Sequence, residues 1–263
     1  MQATINHVTI HYESQGEGSP IVFVHGLGGT SNVWHAQRMT LSKYYRVVAY
    51  DLSGSGRSDK SRRQYSIDGW TDELAGLMDQ LNLPAAVVVG HSMGTVIVQH
   101  FAAKYPQRAT AIVLAGALVE LGPPGKEAFT KRAETVEKEG MIGIADTVLG
   151  GALSAGTRER NLALTGIVRE LLLSNDPACY AGHCRALIAG SAKADQPKIA
   201  CPTLLVVGDQ DPVTPLGLQR QIAAAIKNSR IRIRVVPNTA HLTMLESPET
   251  FNTILLEFLA TLT

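Results

Sequence analysis

The five residues Gly90-His91-Ser92-Met93-Gly94 place one serine hydroxyl between two glycines. Small residues on both sides suit a tight turn that holds a nucleophile out for attack. The pentapeptide is short enough to recur by chance, so its meaning rests on partners elsewhere. A serine hydroxyl attacks a carbonyl only when a base takes its proton and a third group holds the base's tautomer. Among the histidines, His7 and His11 fall in an opening hairpin, His35 and His100 in helical stretches, and His183 in a long helical region. His91 adjoins the serine but points elsewhere through the turn. His241 lies in the loop PNTAHLTMLESPE, between the last apolar run and the last helical pattern, and is the candidate base. Two acids precede it, Asp209 and Asp211 in VVGDQDPVTP. Asp209 suits a turn or a cap, and Asp211 has the longer reach toward His241, which favours it modestly. An oxyanion hole needs two N–H donors. By position these are Met93, just after the serine, and Leu27 in the early glycine-rich stretch HGLGGTSNVW.

The elements that must position these groups can be read from apolar runs and their punctuation. ATI and HVTIHYES form a hairpin about Asn6-His7. PIVFVHG, YRVVAYD, AAVVVG, ATAIVLAGA, PTLLVVGD and IRIRVVP are short β-branched runs, the pattern of strands covered on both faces. Between them lie helical patterns at 33–42, at 67–81 with Ser66 as N-cap, and in MGTVIVQHFAAKYP, stopped by Pro106. Thr214-Pro215 and Ser247-Pro248 read as helix starts, a cap followed by a proline in the first turn. This alternation predicts an α/β fold: a mostly parallel central sheet with helices on both faces and ligand groups at the strands' carboxyl ends. It is interrupted between residues 118 and 197, where four helical patterns (126–139, 142–149, 158–174 and 177–188) succeed one another without a strand. The expected organisation is a core of 1–117 and 198–263, with 118–197 inserted as a helical cap.

Bulk properties exclude several classes of function. Lys and Arg number 24 against 23 acids, a net charge of +1, and no basic stripe or polybasic run points to nucleic acid or a membrane surface. No stretch of 18 apolar residues is present, and the start MQATINHVTIHYESQ lacks the basic and apolar regions of a signal peptide. Three cysteines without metal-ligand spacing suit a reduced compartment, so a cytoplasmic location is expected, with no metal and no cofactor. The glycines after PIVFV do not form Gly-x-Gly-x-x-Gly, and no Lys-Ser/Thr pair marks a phosphate loop.

In sum of motifs, HGLGG, DLSGSGRSD, GHSMG, GDQDPVTP and AHLTMLESPE, the chain resembles the α/β-hydrolase fold family over nearly its whole length. The resemblance implies the chain order serine, acid, histidine, and it places the acid as Gly-x-x-Asp after a strand, which selects Asp211 through Gly208. Asp51, Gly54, Gly56 and Ser58 match a structural turn of the family. Within it, HGLGGTSNVW resembles the small serine esterase and 3-oxoadipate enol-lactonase branch, although enol-lactonases more often carry leucine at the position of His91 and glycine at that of Thr95. A serine at the elbow argues against the aspartate-dependent dehalogenases and epoxide hydrolases of this fold. The function so implied is hydrolysis of a carboxylic ester or lactone through an acyl-enzyme. Carbon–carbon hydrolases, cofactor-free perhydrolases and hydrolase-like ligand receptors keep the same triad and stay open. The expected substrate is a small, mostly apolar molecule. Gly28, Leu118, Val119, Met141, Leu149 and Leu242 are its expected contacts. A lactone bearing a carboxylate would call on a cap arginine such as Arg158, Arg169 or Arg185.

Overall fold

In the computed structural model, which describes residues 1–61, 64–227 and 230–262, the apolar runs become the strands of one eight-stranded sheet. They are β1 (Gln2–Ile5), β2 (Val8–Gln15), β3 (Pro20–Val24), β4 (Arg46–Tyr50), β5 (Ala86–His91), β6 (Ala109–Ala115), β7 (Thr203–Gly208) and β8 (Ile231–Val236), in the order β1-β2-β4-β3-β5-β6-β7-β8. β1 and β2 are antiparallel, as are β2 and β4, and every later pairing is parallel. Asn6 and His7 turn the first hairpin with φ of 48° and 64°, the two positive values of a type I′ turn.

Alternation along each central strand sends side chains to two separate cores. Val22, Val24, Val48, Tyr50, Val88, Ile112 and Leu114 meet α2 (Ile67–Gln80), α3 (Met93–Lys104) and α9 (Leu216–Ala225). Ile21, Phe23, Val47, Ala49, Val89, Val113 and Val206 meet α1 (His35–Leu41) and α11 (Pro248–Leu259) on the other face. Burial on both faces explains why these strands read as unbroken apolar runs. At the edge, β8 points Arg232 and Arg234 outward, a charge pattern that discourages pairing with another chain. The expected mostly parallel sheet with helices on both faces is what forms.

Five helices stand between β6 and β7: α4 (Pro123–Glu139), α5 (Ile142–Ala152), α6 (Ala155–Arg160), α7 (Leu162–Leu173) and α8 (Pro177–Ala189). The single helix expected at 158–174 is divided at Asn161, whose side chain accepts from Leu164 N at 3.0 Å and caps a new helix. The segment has its own small core, with Ala133, Val136, Met141, Ile144, Tyr180 and Cys184. It is also tied to the sheet domain: Asn175 Nδ2 donates to Gly28 O at 3.1 Å, and Leu242 N to Ala152 O at 3.0 Å. His183 faces Ser53 O at 3.0 Å, with its ring edge-on to Tyr65 and Trp70.

Two helix starts differ from expectation. Thr214 does not cap α9; Pro215 occupies that position, and the Thr214 hydroxyl is drawn to Asp211 instead. The region from 31 to 42 is a 3-10 turn (Ser31–Trp34) followed by α1, not one helix. A further short helix, α10 (Thr243–Glu246), precedes α11. No helix among the described residues is long and apolar enough to cross a membrane.

Candidate active site

β5 ends at His91 and α3 begins at Met93, so Ser92 alone makes the connection, with φ 51° and ψ −120°. A non-glycine residue in this region stores about 1–3 kcal/mol of strain and persists only where its surroundings enforce it. Here Ser92 N donates to Ala115 O at 3.0 Å, and Ser92 O accepts from Thr95 N at 2.8 Å and from Thr95 Oγ1 at 2.6 Å. The same threonine oxygen accepts from Leu118 N at 3.1 Å, tying the turn to the start of the helical segment. Gly94 is required by close approach: a Cβ there would lie 2.6 Å from Val24 O and 2.7 Å from His25 O. Ser92 thus sits at the carboxyl edge of the sheet and at the N-terminus of α3, where free N–H groups favour negative charge. Met93 is the first residue of that helix, so its N–H has no partner within it.

The loops after β7 and β8 meet at the same edge. His241 Nδ1 donates to Asp211 Oδ2 at 2.9 Å. Asp211 also accepts from Val213 N at 2.8 Å, Thr214 N at 2.9 Å and Thr214 Oγ1 at 2.7 Å. Burial pushes the Asp211 carboxyl upward, but the His241 contact and the Thr214 donors outweigh it and hold the group well below the usual carboxylate range. Asp209 is exposed and, among the described residues, accepts only a long bond, 3.3 Å, from Thr239 N in the loop after β8. With Nδ1–H committed to Asp211, the other ring nitrogen of His241 carries the lone pair. Gly116, at φ 54°, leaves room for this ring, since a Cβ would stand 3.0 Å from both its Cε1 and Nδ1. Ser92 and His241 line one cavity. A direct bond between them is not among the contacts of the described residues, a common state before a ligand tightens the site.

Two further histidines shape the edge. His91, expected to point elsewhere, lines the same cavity as Ser92, with its ring centroid 4.7 Å from that of His241, and its Nε2–H donates to His241 O at 3.0 Å. Burial and the neighbouring His241 pull it down to about 3, so it is neutral near neutrality. His25, fully buried, donates from Nδ1 to Gly26 O at 2.8 Å and accepts Leu52 N on Nε2 at 3.0 Å. It braces the loop that carries Leu27. Asp51 closes the next turn through Ser31 N at 2.6 Å and Arg57 N at 2.8 Å, a structural arrangement.

The cavity has a volume of about 450 Å³, within the range of small-molecule sites. Leu27, Gly28, Leu118 and Leu242 line it. Val119, Met141 and Leu149 do not. Met141 packs in the helical segment's own core, Leu149 faces the α1–α11 core, and Val119 rests on the α2–α3 core. Their apolar character was legible in the sequence, but their direction depended on helix packing. Arg169 and Arg185 are paired with Asp146 and Glu137 on the exterior, and Arg158 bonds to Gly150 O and Leu153 O. None of the three lines this cavity. The arginine that does is Arg132 on α4, together with Tyr180 on α8; neither carries a motif that would single it out. Among the described residues no group of three or more His, Cys, Asp or Glu is placed to hold a metal ion.

Comparison with known proteins finds relatives that share this fold. The family profile described as the alpha/beta hydrolase fold matches residues 19–143. A 3-oxoadipate enol-lactonase of Acinetobacter baylyi is 26% identical over 251 residues, 95% of this chain and 92% of the relative. The crystal structure of the enol-lactonase from Burkholderia xenovorans superposes with a TM-score of 0.93 at 29% identity, covering 99% of this chain and 100% of that one. A thermophilic esterase from Thermogutta terrifontis gives 0.94 at 28% identity, covering 100% and 98%.

Proposed function

The chain belongs to the α/β-hydrolase fold family and is a hydrolase, and from that premise we propose that it cleaves a carboxylic ester or lactone through an acyl-enzyme on Ser92. The observation that carries this reading is the 2.9 Å bond from His241 to Asp211, with the opposite ring nitrogen and the Ser92 hydroxyl left to one cavity. His241 takes the proton of Ser92 Oγ as that oxygen bonds to the substrate carbonyl carbon. Asp211 keeps the tautomer and stabilises the imidazolium. The amides of Leu27 and Met93 receive the oxyanion. The tetrahedral intermediate then expels the alcohol, which takes the proton from His241. Water repeats the sequence on the acyl-enzyme and releases the acid. Residues 118–197 act as a cap over a core formed by 1–117 and 198–263. The ester and lactone classes are supported by relatives named as an esterase and enol-lactonases.

The test is labelling with a fluorophosphonate, followed by a panel of esters, lactones and amides on wild type and Ser92→Ala. Labelling confined to Ser92, with turnover of esters or lactones reduced at least ~10⁴-fold in the variant, is expected. Unlabelled Ser92 in folded protein, or turnover that survives its removal, overturns the reading.

A further inference from the structure

The Thr214 hydroxyl is directed away from the helix it precedes. A threonine before a proline commonly caps the helix that follows, yet α9 begins with no side-chain cap. The hydroxyl donates instead to Asp211 Oδ2 at 2.7 Å. That oxygen also accepts from His241 Nδ1 at 2.9 Å, and Thr214 Oγ1 itself lies 3.3 Å from the same nitrogen. Oδ2, Oγ1 and Nδ1 therefore form a closed triangle, and Thr214 is 1% exposed. An ionised carboxylate can only accept, so the hydroxyl proton points to Asp211 and a lone pair of Oγ1 is left facing Nδ1–H.

The threonine is held in this place from two sides. Gln219, fully buried on α9, donates from Nε2 to Thr214 O at 3.0 Å and to Ala117 O at 2.9 Å. Gly116 leaves room opposite, where a Cβ would lie 3.2 Å from Thr214 Oγ1. Two further titratable groups approach His241. His91 has its ring centroid 4.7 Å away, and Glu246 accepts from the adjoining Ala240 N at 2.6 Å. Neither is bonded to Thr214 among the described residues, so a change at 214 leaves both in place.

We propose that Thr214 is a positioning residue for the hydrolysis: by sharing Asp211 Oδ2 with His241, it fixes that oxygen and limits how strongly the anion retains a proton on the imidazole. This rests on the reading of Ser92, Asp211 and His241 as a triad. The hydroxyl stabilises the ionised carboxylate and takes up part of its charge. Without it the whole demand of Oδ2 falls on His241 Nδ1–H, and the imidazolium is favoured. A base that must start neutral is then neutral only at higher pH. The same loss removes one of the two donors that fix Oδ2, leaving the contact with His241 to hold that oxygen by itself.

The experiment follows kcat/KM for p-nitrophenyl acetate against pH in wild type, Thr214→Val and Thr214→Ser. The valine variant keeps the branched shape and loses the hydroxyl. It is expected to move the acid limb up by about 0.5–1 pH unit and to lower the plateau about 10-fold. The serine variant keeps the hydroxyl, and its limb is expected within about 0.2 pH unit of wild type. A valine variant whose limb stays in place or moves down overturns the proposal even if its plateau falls, because altered packing alone would lower the plateau. A serine variant that shifts as far as valine overturns it too. A second readout needs no turnover: the low-field proton resonance of His241 Nδ1–H, assigned by its absence from His241→Gln. Its titration by NMR is expected to move upward in Thr214→Val by the same amount as the acid limb. If the valine variant does not fold, Thr214→Ala takes its place and must show the same upward displacement in both measurements. Should Ser92 prove unlabelled and the ester uncleaved, the hydrolytic reading fails. An unmoved resonance would then overturn the role of Thr214, and a moved one would support it.

Discussion

The carboxyl edge of the sheet and the helical segment above it share one cavity, yet they fix their side chains by different means. At the edge, backbone does the positioning. Ser92 is held at a positive φ by hydrogen bonds to Ala115, Thr95 and the helix it starts, and Gly94 lets that turn rest against the backbone of Val24 and His25. His241 is held through its ring by Asp211 and through its carbonyl by His91. In the segment, side chains supply most of the wall: Phe129, Val148, Leu171 and Tyr180 reach the cavity from α4, α5, α7 and α8, with Arg132 also on α4 and Leu121 just before it. On the proposed hydrolytic reading, the first construction serves every substrate alike, and the second, which can change one residue at a time, selects among substrates. Substitutions at the edge should therefore lower kcat for every substrate, and substitutions in the segment should alter ratios between substrates.

The sharpest test of that division is Asp211→Asn. Loss of the anion inverts the hydrogen-bond demand on His241, and kcat should fall ~10³–10⁴-fold on every ester or lactone tested. A loss confined to carboxylated substrates would break the division. The same variant tests the carboxyl's depressed titration. A group whose folded value lies below its unfolded one, about 4, adds stability above that pH and loses it as the pH falls through the folded value. Chemical denaturation should thus show Asp211→Asn destabilised at pH 7 and closer to wild type near pH 3.

Gly116→Ala should come next. The new methyl group would have to displace the His241 ring by a few tenths of an ångström, and the backbone there prefers glycine. Such a shift should reduce kcat about 10- to 100-fold with KM little changed, since misplacement of a catalytic group acts on the transition state. Steady-state kinetics on a neutral and a carboxylated ester would show the two falling together.

His91 gives a smaller effect, visible in stability. Buried and neutral, it resists protonation until about pH 3, whereas in the unfolded chain it takes a proton below about 6.5. Its folded value lies below its unfolded one, so the unfolded state binds more protons in that window, and stability falls by about 1.4 kcal/mol per pH unit from this group. His25 is shifted in the same direction, chiefly by burial, and adds to the slope. His91→Asn retains a donor for His241 O and should flatten the decline in unfolding free energy between pH 6.5 and 4. An unchanged slope would show that His91 does not stay neutral in the fold.

The two regions also differed in how much could be read from residue types. The central strands announce themselves as β-branched runs because both faces are covered, and Ser92, Asp211 and His241 each follow such a run closely enough that topology alone brings them to one edge. The choice of Asp211 over Asp209 needed the family resemblance; in the structure the difference is burial and a turn in which Thr214 donates twice. In the segment, helices were legible but their rotations were not. Met141 and Leu149 carry the same apolar signal as Leu118, and only packing sends them to different cores. Arg132 differs from Arg169 and Arg185 in nothing but its neighbours, and those neighbours come from other helices.

Leu171 offers the finest probe of the division, because it lines the cavity from α7 yet is only partly buried and lies outside every catalytic contact. Leu171→Ala removes three carbons from the wall. If the segment acts on selection alone, the added space should be filled by a longer acyl chain, and one or two methylenes in an apolar pocket are worth roughly 10-fold in kcat/KM. The expected result is a preference shifted by about 10-fold toward the longer of two neutral methyl esters that differ by two carbons, with the fluorophosphonate labelling rate of Ser92 changed by less than about 3-fold. A reactive probe that carries only a small alkyl group reports the edge and barely touches the wall. Were labelling and both esters to slow together, the α7 side chain would be bracing the catalytic edge as well as shaping the cavity. The distinction between a backbone-built edge and a side-chain-built wall would then fail at its closest point of contact, where Leu172, one residue on, reaches to within 3.2 Å of a Cβ built on Gly28.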